Sequence, residues 1–265
     1  MKNKINSRKT KKKALIAGVA LAAIMIGGTL AAVLPFGSNN SSSNSSRNEQ
    51  NPNEVMRKLY NPVIQNASAL GSSSAGITMI EFAGYQCQSC AKFHRETMDD
   101  ILKNFVNTGK VRYLFKDFVI SSESPATTTA ANPNIVDKRS TLAAEASYCA
   151  AEQGKYWQYH NELYQNAEDR NTEWITQDNL KRLGNSVGIS DPEQFSNCLA
   201  SHKYSKVVNE NTNLARSIGL QSIPTFILLS NRTQPLAIQG VQPYSTFQNV
   251  FTEIQSSTIS SSSGR

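Results

Sequence analysis

Histidine, cysteine and the short motifs that mark the common active sites are scarce in this sequence. Its 265 residues include three histidines and four cysteines. We find no phosphate-binding glycine loop, no Ser-His-Asp set, no internal repeat and no patch in which basic and aromatic residues alternate. These absences argue against the nucleotide-hydrolysing, serine-hydrolase and nucleic-acid-binding classes, and no cofactor is expected.

The cysteines stand at positions 87, 90, 149 and 198, so they lack the two close pairs of a structural zinc site. No histidine beyond His94 lies at a matching ligand distance. We therefore expect no bound metal. A metal-binding module such as a copper chaperone stays as the less favoured alternative.

Acidic residues are absent from positions 1–13, which carry seven lysines and arginines. Seven is also the net charge of the whole chain, so the other residues hold equal numbers, 20, of basic and acidic side chains. The positive charge thus describes a basic flank, which we expect to be a cytoplasmic tail. It does not indicate a nucleic-acid partner.

Charged residues are also missing from 14–36, where alanine, leucine, isoleucine and valine dominate. Roughly 20 apolar residues in a helix cross a bilayer. The lysines before this stretch place the N-terminus in the cytoplasm and the rest of the chain outside. A cleaved signal peptide has a shorter apolar core, so we expect an uncleaved single-pass anchor, although Thr29 and Ala31 would suit a cleavage site.

The polar segment 37–53 predicts a flexible linker, and 256–265 predicts a disordered tail, because neither can bury a core. The intervening 54–255 fits one exported domain.

An even number of cysteines suits an oxidising compartment. We expect one disulfide between Cys87 and Cys90 and a second between Cys149 and Cys198. The second would close a loop of about 50 residues and stabilise the fold by roughly 4 kcal/mol in the chain-entropy model.

The stretch ITMIEFAGYQCQSCAKFH at 77–94 predicts a buried strand, a short turn and a helix that begins at two cysteines. The thiol of Cys87 would meet unpaired helix amides and the positive end of the helix dipole, which favour its thiolate. Cys90, one turn further in, can form a short-loop disulfide and resolve a mixed disulfide. Paired cysteines also bind zinc, but a preceding strand and a following helix favour a redox pair.

Glu81 lies in the middle of the predicted strand, where an unpaired carboxylate is costly. One interpretation is an edge position that reaches water. The other is a buried acid near the redox pair, partnered by Lys116 in a second predicted strand, 110–120, that eases proton transfer to the thiols. His94, one turn after Cys90, can tune the thiolate, but a partly exposed helix histidine is the favoured interpretation.

The predicted order of elements is strand, Cys-x-x-Cys helix, strand, helical block, two strands and a final helix. The helical block covers about 136–218 and contains an aromatic stripe whose spacing predicts core packing. The last two strands cover 223–229 and 235–239. This order predicts a mixed α/β fold with helices on both faces of one sheet.

The arrangement resembles the DsbA-like thioredoxin family of exported thiol–disulfide oxidoreductases. The resemblance rests on GSSSAGITMIEFAGYQCQSCAKFH at 71–94, YLFKDF at 113–118, KYWQYHNELY at 155–164 and SIPTFIL at 222–228. It implies a thioredoxin-like fold with an inserted helical domain, here preceded by the N-terminal transmembrane helix.

The resemblance also implies roles for single residues. Cys87 would be the exposed nucleophile and Cys90 the buried resolving thiol. Pro224 would be a cis proline that faces the pair, and Ile223 would line the substrate groove.

The family's buried glutamate and its lysine partner match Glu81 and Lys116 in this chain. Two departures stand out. Many members have aspartate where this chain has Gly84, and many have proline with an aromatic residue or histidine where it has Gln88 and Ser89. We expect Gln88 and Ser89 to tune the redox potential and to make it milder.

The function implied is that of a disulfide oxidase that acts on exported client proteins with free thiols. In this family a membrane quinone-linked partner reoxidises the pair. The anchor and the second cysteine pair resemble those of the anchored relatives found in single-membrane prokaryotes, archaea included, and we expect a monomer. The alternative is a disulfide isomerase or reductase. Related isomerases carry a separate dimerisation domain, and 54–70 is too short for one.

Overall fold

The computed structural model describes residues 32–33, 51–61, 67–120, 138–167 and 173–257. The predicted basic tail, most of the predicted anchor and most of the predicted linker lie outside the described residues, as does most of the predicted tail. Within the described ranges, no helix is both long enough and apolar enough to cross a bilayer.

The strands of the described residues form one mixed sheet. They are β1 (Ala32–Val33), β2 (Ala69–Leu70), β3 (Ile77–Ala83), β4 (Val111–Asp117), β5 (Thr225–Ser230) and β6 (Leu236–Gln239). Their order across the sheet is β1-β6-β5-β3-β4-β2. β3 pairs parallel with β4 and antiparallel with β5, and all seven of its residues are buried. Burial on both sides follows from its apolar sequence and its central place.

Strand β1 comes from the C-terminal end of the stretch that the sequence predicts to be an anchor. Ala32 pairs with Ala237 and Val33 with Leu236, both in β6. Without β1, the backbone amides and carbonyls along this side of β6 would lack strand partners. These two residues are therefore part of the sheet and not of a helix, which corrects the predicted bounds of the anchor at that end.

The helices of the described residues cover both faces of this sheet. They are α1 (Pro52–Tyr60), α2 (Gln88–Glu96), α3 (Met98–Ile101), α4 (Lys138–Ala151), α5 (Tyr156–Gln165), α6 (Gln177–Ser186), α7 (Pro192–Ala200), α8 (Ser205–Ser217) and α9 (Tyr244–Ser256). Helices α4 to α8 lie between β4 and β5, where the sequence predicts the helical insertion. Helix α1 begins at Pro52, capped by the Asn51 side chain, just inside the predicted linker.

The helix that the sequence predicts after Cys87 is not continuous. It breaks at Thr97, whose backbone has φ −128° and ψ −37° and whose hydroxyl donates to the Gln242 carbonyl at 3.2 Å. A π-helical segment, Leu102–Val106, then ends it. At the break, the hydrogen bond from Thr97 connects the end of α2 to the loop before α9. Phe105 and Val106 of the π-helical segment are buried.

Alternate residues of a strand face opposite sides, so each face of the sheet has its own core. On one face, Met79 of β3 packs in a cluster with residues of α2, α4 to α7 and α9. On the other, Ile80 and Phe82 pack with residues of α1 and α8. We call these the insertion face and the α1–α8 face. The redox motif and the helical insertion share the first of them.

A disulfide between Cys149 and Cys198 joins α4 to α7 within the insertion. Both cysteines are buried, and the bridge spans 49 positions of sequence. It holds together two helices that lie far apart along the chain, and it leaves no free thiol at this end of the molecule.

Candidate active site

The redox motif folds as the sequence predicts, with Cys87 and Cys90 joined in a disulfide at the start of α2. Cys87 is the N-cap residue, and the Cys90 amide points at its Sγ from 3.0 Å. Cys87 is half-buried, whereas Cys90 is fully buried. An incoming thiolate can therefore reach the sulfur of Cys87 but not that of Cys90.

Ser89 connects the pair to the loop before β5. Its hydroxyl lies 3.1 Å from Cys87 Sγ and donates to the Ile223 carbonyl at 3.4 Å. The bond between Ile223 and Pro224 is cis, in agreement with the family resemblance. Gln88, by contrast, is exposed on the first turn of α2. Of the two residues between the cysteines, Ser89 is thus the one placed to act on Cys87.

Gly84 precedes the cysteines at the point where many DsbA-like proteins have aspartate. A Cβ atom at this position would lie 3.4 Å from the Phe118 carbonyl and 3.7 Å from Cδ1 of Ile223. A larger side chain would therefore project next to Ile223. With glycine at this position, Ile223 has no side chain from residue 84 beside it.

Glu81 is completely buried in the central strand, so the interpretation as an edge residue that reaches water is wrong. Its Oε2 accepts a hydrogen bond from the Tyr113 hydroxyl at 2.5 Å. Both oxygens lie within reach of His94 Nε2, at 3.3 and 3.2 Å. Burial, with the charge of Glu81, raises the pKa of Tyr113, which therefore stays a donor.

His94 is partly exposed as a residue, in agreement with the favoured interpretation, but its side chain turns inward. Its side chain is 8% exposed, and its ring stacks on Tyr164 with centroids 4.1 Å apart. Because it follows Cys90 by four positions, it lies on the same face of α2 as that buried cysteine. The imidazole thereby links the helix of the redox pair to the acid in β3.

Lys116 does not pair with Glu81, contrary to the prediction. In the β3–β4 register Glu81 pairs with Phe115, and Lys116 pairs with Phe82 on the α1–α8 face. The lysine ammonium donates instead to the Asn61 carbonyl at 2.8 Å. Burial lowers its pKa to about 8, although the neighbouring carboxylate of Asp117 acts in the opposite direction.

Two residues of the site escaped the sequence reasoning. Tyr113 occupies the place expected of the lysine, and Tyr85, two residues before Cys87, has its hydroxyl 2.8 Å from Nδ1 of buried His160. Strand alternation marks Tyr113 and Phe115 as sharing a face, but only the register shows that the face is that of Glu81. His160 belonged to the aromatic stripe that predicted core packing.

A family model described as Thioredoxin matches residues 65–242, more than half of the chain. Among sequence relatives, disulfide bond formation protein D of Bacillus subtilis is 26% identical over 166 residues, which cover 62% of this chain and 68% of that protein. The first relatives are matched over about two thirds of their own length.

Solved structures show the same fold. Oxidised BdbD from Bacillus subtilis superposes with a TM-score of 0.60 at 24% identity, covering 73% of this chain and 95% of that one. α-DsbA1 from Wolbachia pipientis gives 0.58 at 22%, covering 71% and 89%. With the sheet, the helical insertion and the Cys-x-x-Cys helix, these matches show that the chain belongs to the thioredoxin family and has the DsbA-like form of its fold.

Proposed function

We propose that this protein is a DsbA-like disulfide oxidase that introduces disulfides into exported proteins through Cys87 and Cys90. The observation that carries the proposal is the disulfide at the N-terminus of α2, with Cys87 accessible and Cys90 buried. Its placement beside Ile223 and Pro224 supports the same function. The relative named disulfide bond formation protein D supports it independently.

The reaction begins when a client thiolate attacks Cys87 Sγ. A mixed disulfide forms between the client and Cys87, and Cys90 leaves as a thiolate that takes up a proton. A second client thiolate then attacks the client sulfur of the mixed disulfide. The client leaves with a new disulfide, and the two electrons it gave up remain on Cys87 and Cys90.

Glu81 and His94 are placed to serve the buried cysteine. A thiolate at Cys90 has no water to protonate it, because that residue is fully buried. His94 lies one turn away on the same helix face and is hydrogen-bonded to Glu81. We assign this pair the transfer of the proton to and from Cys90. Tyr113 orients the Glu81 carboxylate.

The thiolate of Cys87 is the product that the site must stabilise. Two groups lie at hydrogen-bond distance from its sulfur, the Cys90 amide at 3.0 Å and the Ser89 hydroxyl at 3.1 Å. The single proton of the hydroxyl would turn from the Ile223 carbonyl to the sulfur when Cys87 becomes a thiolate. The helix dipole acts in the same direction. Stabilising the thiolate favours the reduced form of the pair and so makes the enzyme a better oxidant.

The cellular setting is part of the proposal. The apolar stretch would anchor the chain, with the N-terminus in the cytoplasm and the catalytic domain outside. Because Ala32 and Val33 lie in the sheet, the span would be limited to about Ala14–Ala31, which still approaches the roughly 20 residues of a membrane helix. The domain would work as a monomer, receive clients as they emerge, and be reoxidised by a quinone-linked membrane partner.

A redox titration of the full-length chain against glutathione, followed by oxidation of a reduced, unfolded client, tests the function. We expect a potential well above the roughly −270 mV of thioredoxin and client oxidation that is lost in Cys87→Ala. Cys149→Ala/Cys198→Ala serves as the control that retains the first pair. A potential near that of thioredoxin with poor client oxidation would instead identify a reductase or isomerase.

A further inference from the structure

A second buried acid lies close to the redox pair. β4 ends at Asp117, which pairs with Ala83 in the same register that pairs Phe115 with Glu81. Asp117 therefore lies on the insertion face, as Glu81 does, one strand away and nearer the catalytic end. The next residue, Phe118, donates its amide to the Ala83 carbonyl at 2.8 Å. Asp117 thus sits at the base of the loop that leads to Cys87.

The carboxylate of Asp117 is only partly satisfied. Its Oδ2 accepts hydrogen bonds from the Tyr148 hydroxyl and, at 3.2 Å, from the Asn211 amide. Its Oδ1 is buried and has no hydrogen-bond partner among the described residues. The side chain is 1% exposed, and this burial raises the pKa of Asp117 to about 6. Such a carboxyl is ready to accept a proton near neutral pH.

Buried tyrosines connect this acid to the redox loop. Tyr148, which is hydrogen-bonded to Asp117, packs on Tyr156 with ring centroids 5.8 Å apart, and Tyr156 stacks on His160 at 5.9 Å. Besides burial, the charges of Asp117 and Glu81 raise the pKa of Tyr85 and of Tyr164. Tyr85 belongs to the turn before Cys87 and is held by His160 at 2.8 Å. The two acids therefore share the same tyrosines, and one of those tyrosines lies two residues from the nucleophile.

We propose that Asp117, at the base of the Cys87 loop and on the sheet face of Glu81, is a positioning residue that takes up a proton through its coupling to Tyr85 when Cys87 becomes a thiolate. This inference rests on the oxidase function proposed above. Its physical basis is charge: a new anion at Cys87 would face two carboxylates across buried residues, which screen charge less than water does. Neutralising Asp117 removes one of these repulsions.

The proton balance of the cycle supports this assignment. Two client thiols lose two protons and two electrons when they form a disulfide. The electrons break the Cys87–Cys90 bond, Cys90 takes one proton, and Cys87 stays a thiolate. Asp117 then accepts the second proton, so the total charge of the site and client is the same before and after.

Other groups act on Asp117 as well, and any pH profile contains their contributions. Tyr148 of α4, Asn211 of α8 and Lys116 of β4 act on its carboxyl directly. The charge of Asp117 acts in turn on Tyr85 of the loop and on Tyr156 and Tyr164 of α5, and Glu81 of β3 and His160 of α5 adjoin these tyrosines. Burial lowers the pKa of His160 well below its usual value, so its imidazole is neutral. Within this set, burial brings the pKa of Asp117 to about 6 and that of Lys116 to about 8, and Lys116 lies on the opposite face of the sheet.

The test follows the carboxyl groups directly in the full-length wild-type protein. Infrared difference spectra between the oxidised and reduced forms at pH 6 to 7 are recorded with and without ¹³C-labelled aspartate. We expect a protonated-carboxyl band that appears on reduction and shifts with the aspartate label. This measurement needs no substitution, so it remains decisive even if a variant at position 117 does not fold.

Alkylation of reduced Cys87 with iodoacetamide between pH 4 and 8 gives the second readout. Asp117→Asn should change the pH profile and raise the rate at pH 6 by about threefold, because the negative charge is gone. Asp100→Asn, at an exposed position on α3, should leave the profile unchanged. A purely structural Asp117 would lower the stability of the variant without moving the profile.

The possible failures are distinguishable. An absence of the labelled band together with an unchanged Asp117→Asn profile overturns this inference while leaving the oxidase intact. A reduced wild-type protein whose Cys87 is not selectively alkylated overturns the proposed function itself.

Discussion

The imidazole Nε2 of His94 lies 3.2 Å from the carboxylate of Glu81, and both side chains are shielded from solvent. This contact joins the helix of the redox pair to the central strand. It also places a titratable ring between the buried acid and the face of α2 on which Cys90 lies.

If this pair delivers the proton to Cys90, then His94→Ala should slow client oxidation by about a hundredfold or more, in the range of general acid–base contributions. Glu81→Gln should have a similar effect, and the double variant should be little worse than either. The rate is measured from pH 5 to pH 8, with the exposed Lys92→Ala of the same helix as control. A wild-type rate for His94→Ala contradicts the assignment.

Ser89→Ala should make the protein a weaker oxidant. The substitution removes one hydrogen bond to Cys87 Sγ, worth about 1 kcal/mol, and so destabilises the thiolate of the reduced form. The potential should fall by about 20 mV in a glutathione titration. The exposed neighbour Gln88→Ala should shift it much less, and equal shifts in both would argue against a specific role of the hydroxyl.

Lys116→Met tests whether the lysine serves the redox pair. Its pKa is depressed by burial to about 8, below that of an unfolded lysine, so the ammonium destabilises the fold while it is charged. This cost is full below pH 8 and is relieved as pH rises from about 8 to 10.5. We expect Lys116→Met to raise the free energy of unfolding by about 1–2 kcal/mol at pH 7, after allowance for the lost hydrogen bond to Asn61. Urea titration measures this gain, which should vanish near pH 10.

The same variant should oxidise clients at the wild-type rate, since Lys116 lies on the sheet face opposite Glu81. A strong loss of activity with an unchanged fold would restore the catalytic role that the sequence suggested.

Removal of the second bridge should separate stability from activity. Cys149→Ala/Cys198→Ala opens a loop of 49 positions, and we expect it to cost about 2–4 kcal/mol of unfolding free energy, measured in urea. The glutathione potential of Cys87 and Cys90 should stay the same. A shift in that potential would show that the insertion communicates with the redox pair.

Local pattern was enough to predict the central elements. The apolar run that became β3 and the glycine and cysteine pattern that follows it predicted strand, turn and helix to within a residue. The break at Thr97 was not predictable in this way, because it depends on a hydrogen bond to Gln242, far along the chain.

The partner of Glu81 shows where sequence reasoning fails. Lys116 and Tyr113 lie in the same strand at positions of opposite parity, so one of them must face Glu81 and the other must face away. A charged residue is the intuitive partner for a buried carboxylate, but the strand register places Tyr113 next to Glu81. The contact of His94 with Glu81 was missed for a related reason, since the two residues lie in different elements. Register and packing between elements are tertiary facts that no local window contains.

The buried disulfide between Cys149 and Cys198 matters for the folding of a new copy of the protein as well as for its stability. A newly made copy has four thiols, and an oxidant is needed before the disulfide can join its insertion helices. For a disulfide oxidase, the obvious supplier is an older copy of the same chain. Existing oxidised molecules would then form this disulfide in each newly made molecule. A cell that has lost its active enzyme would regain it only after a lag.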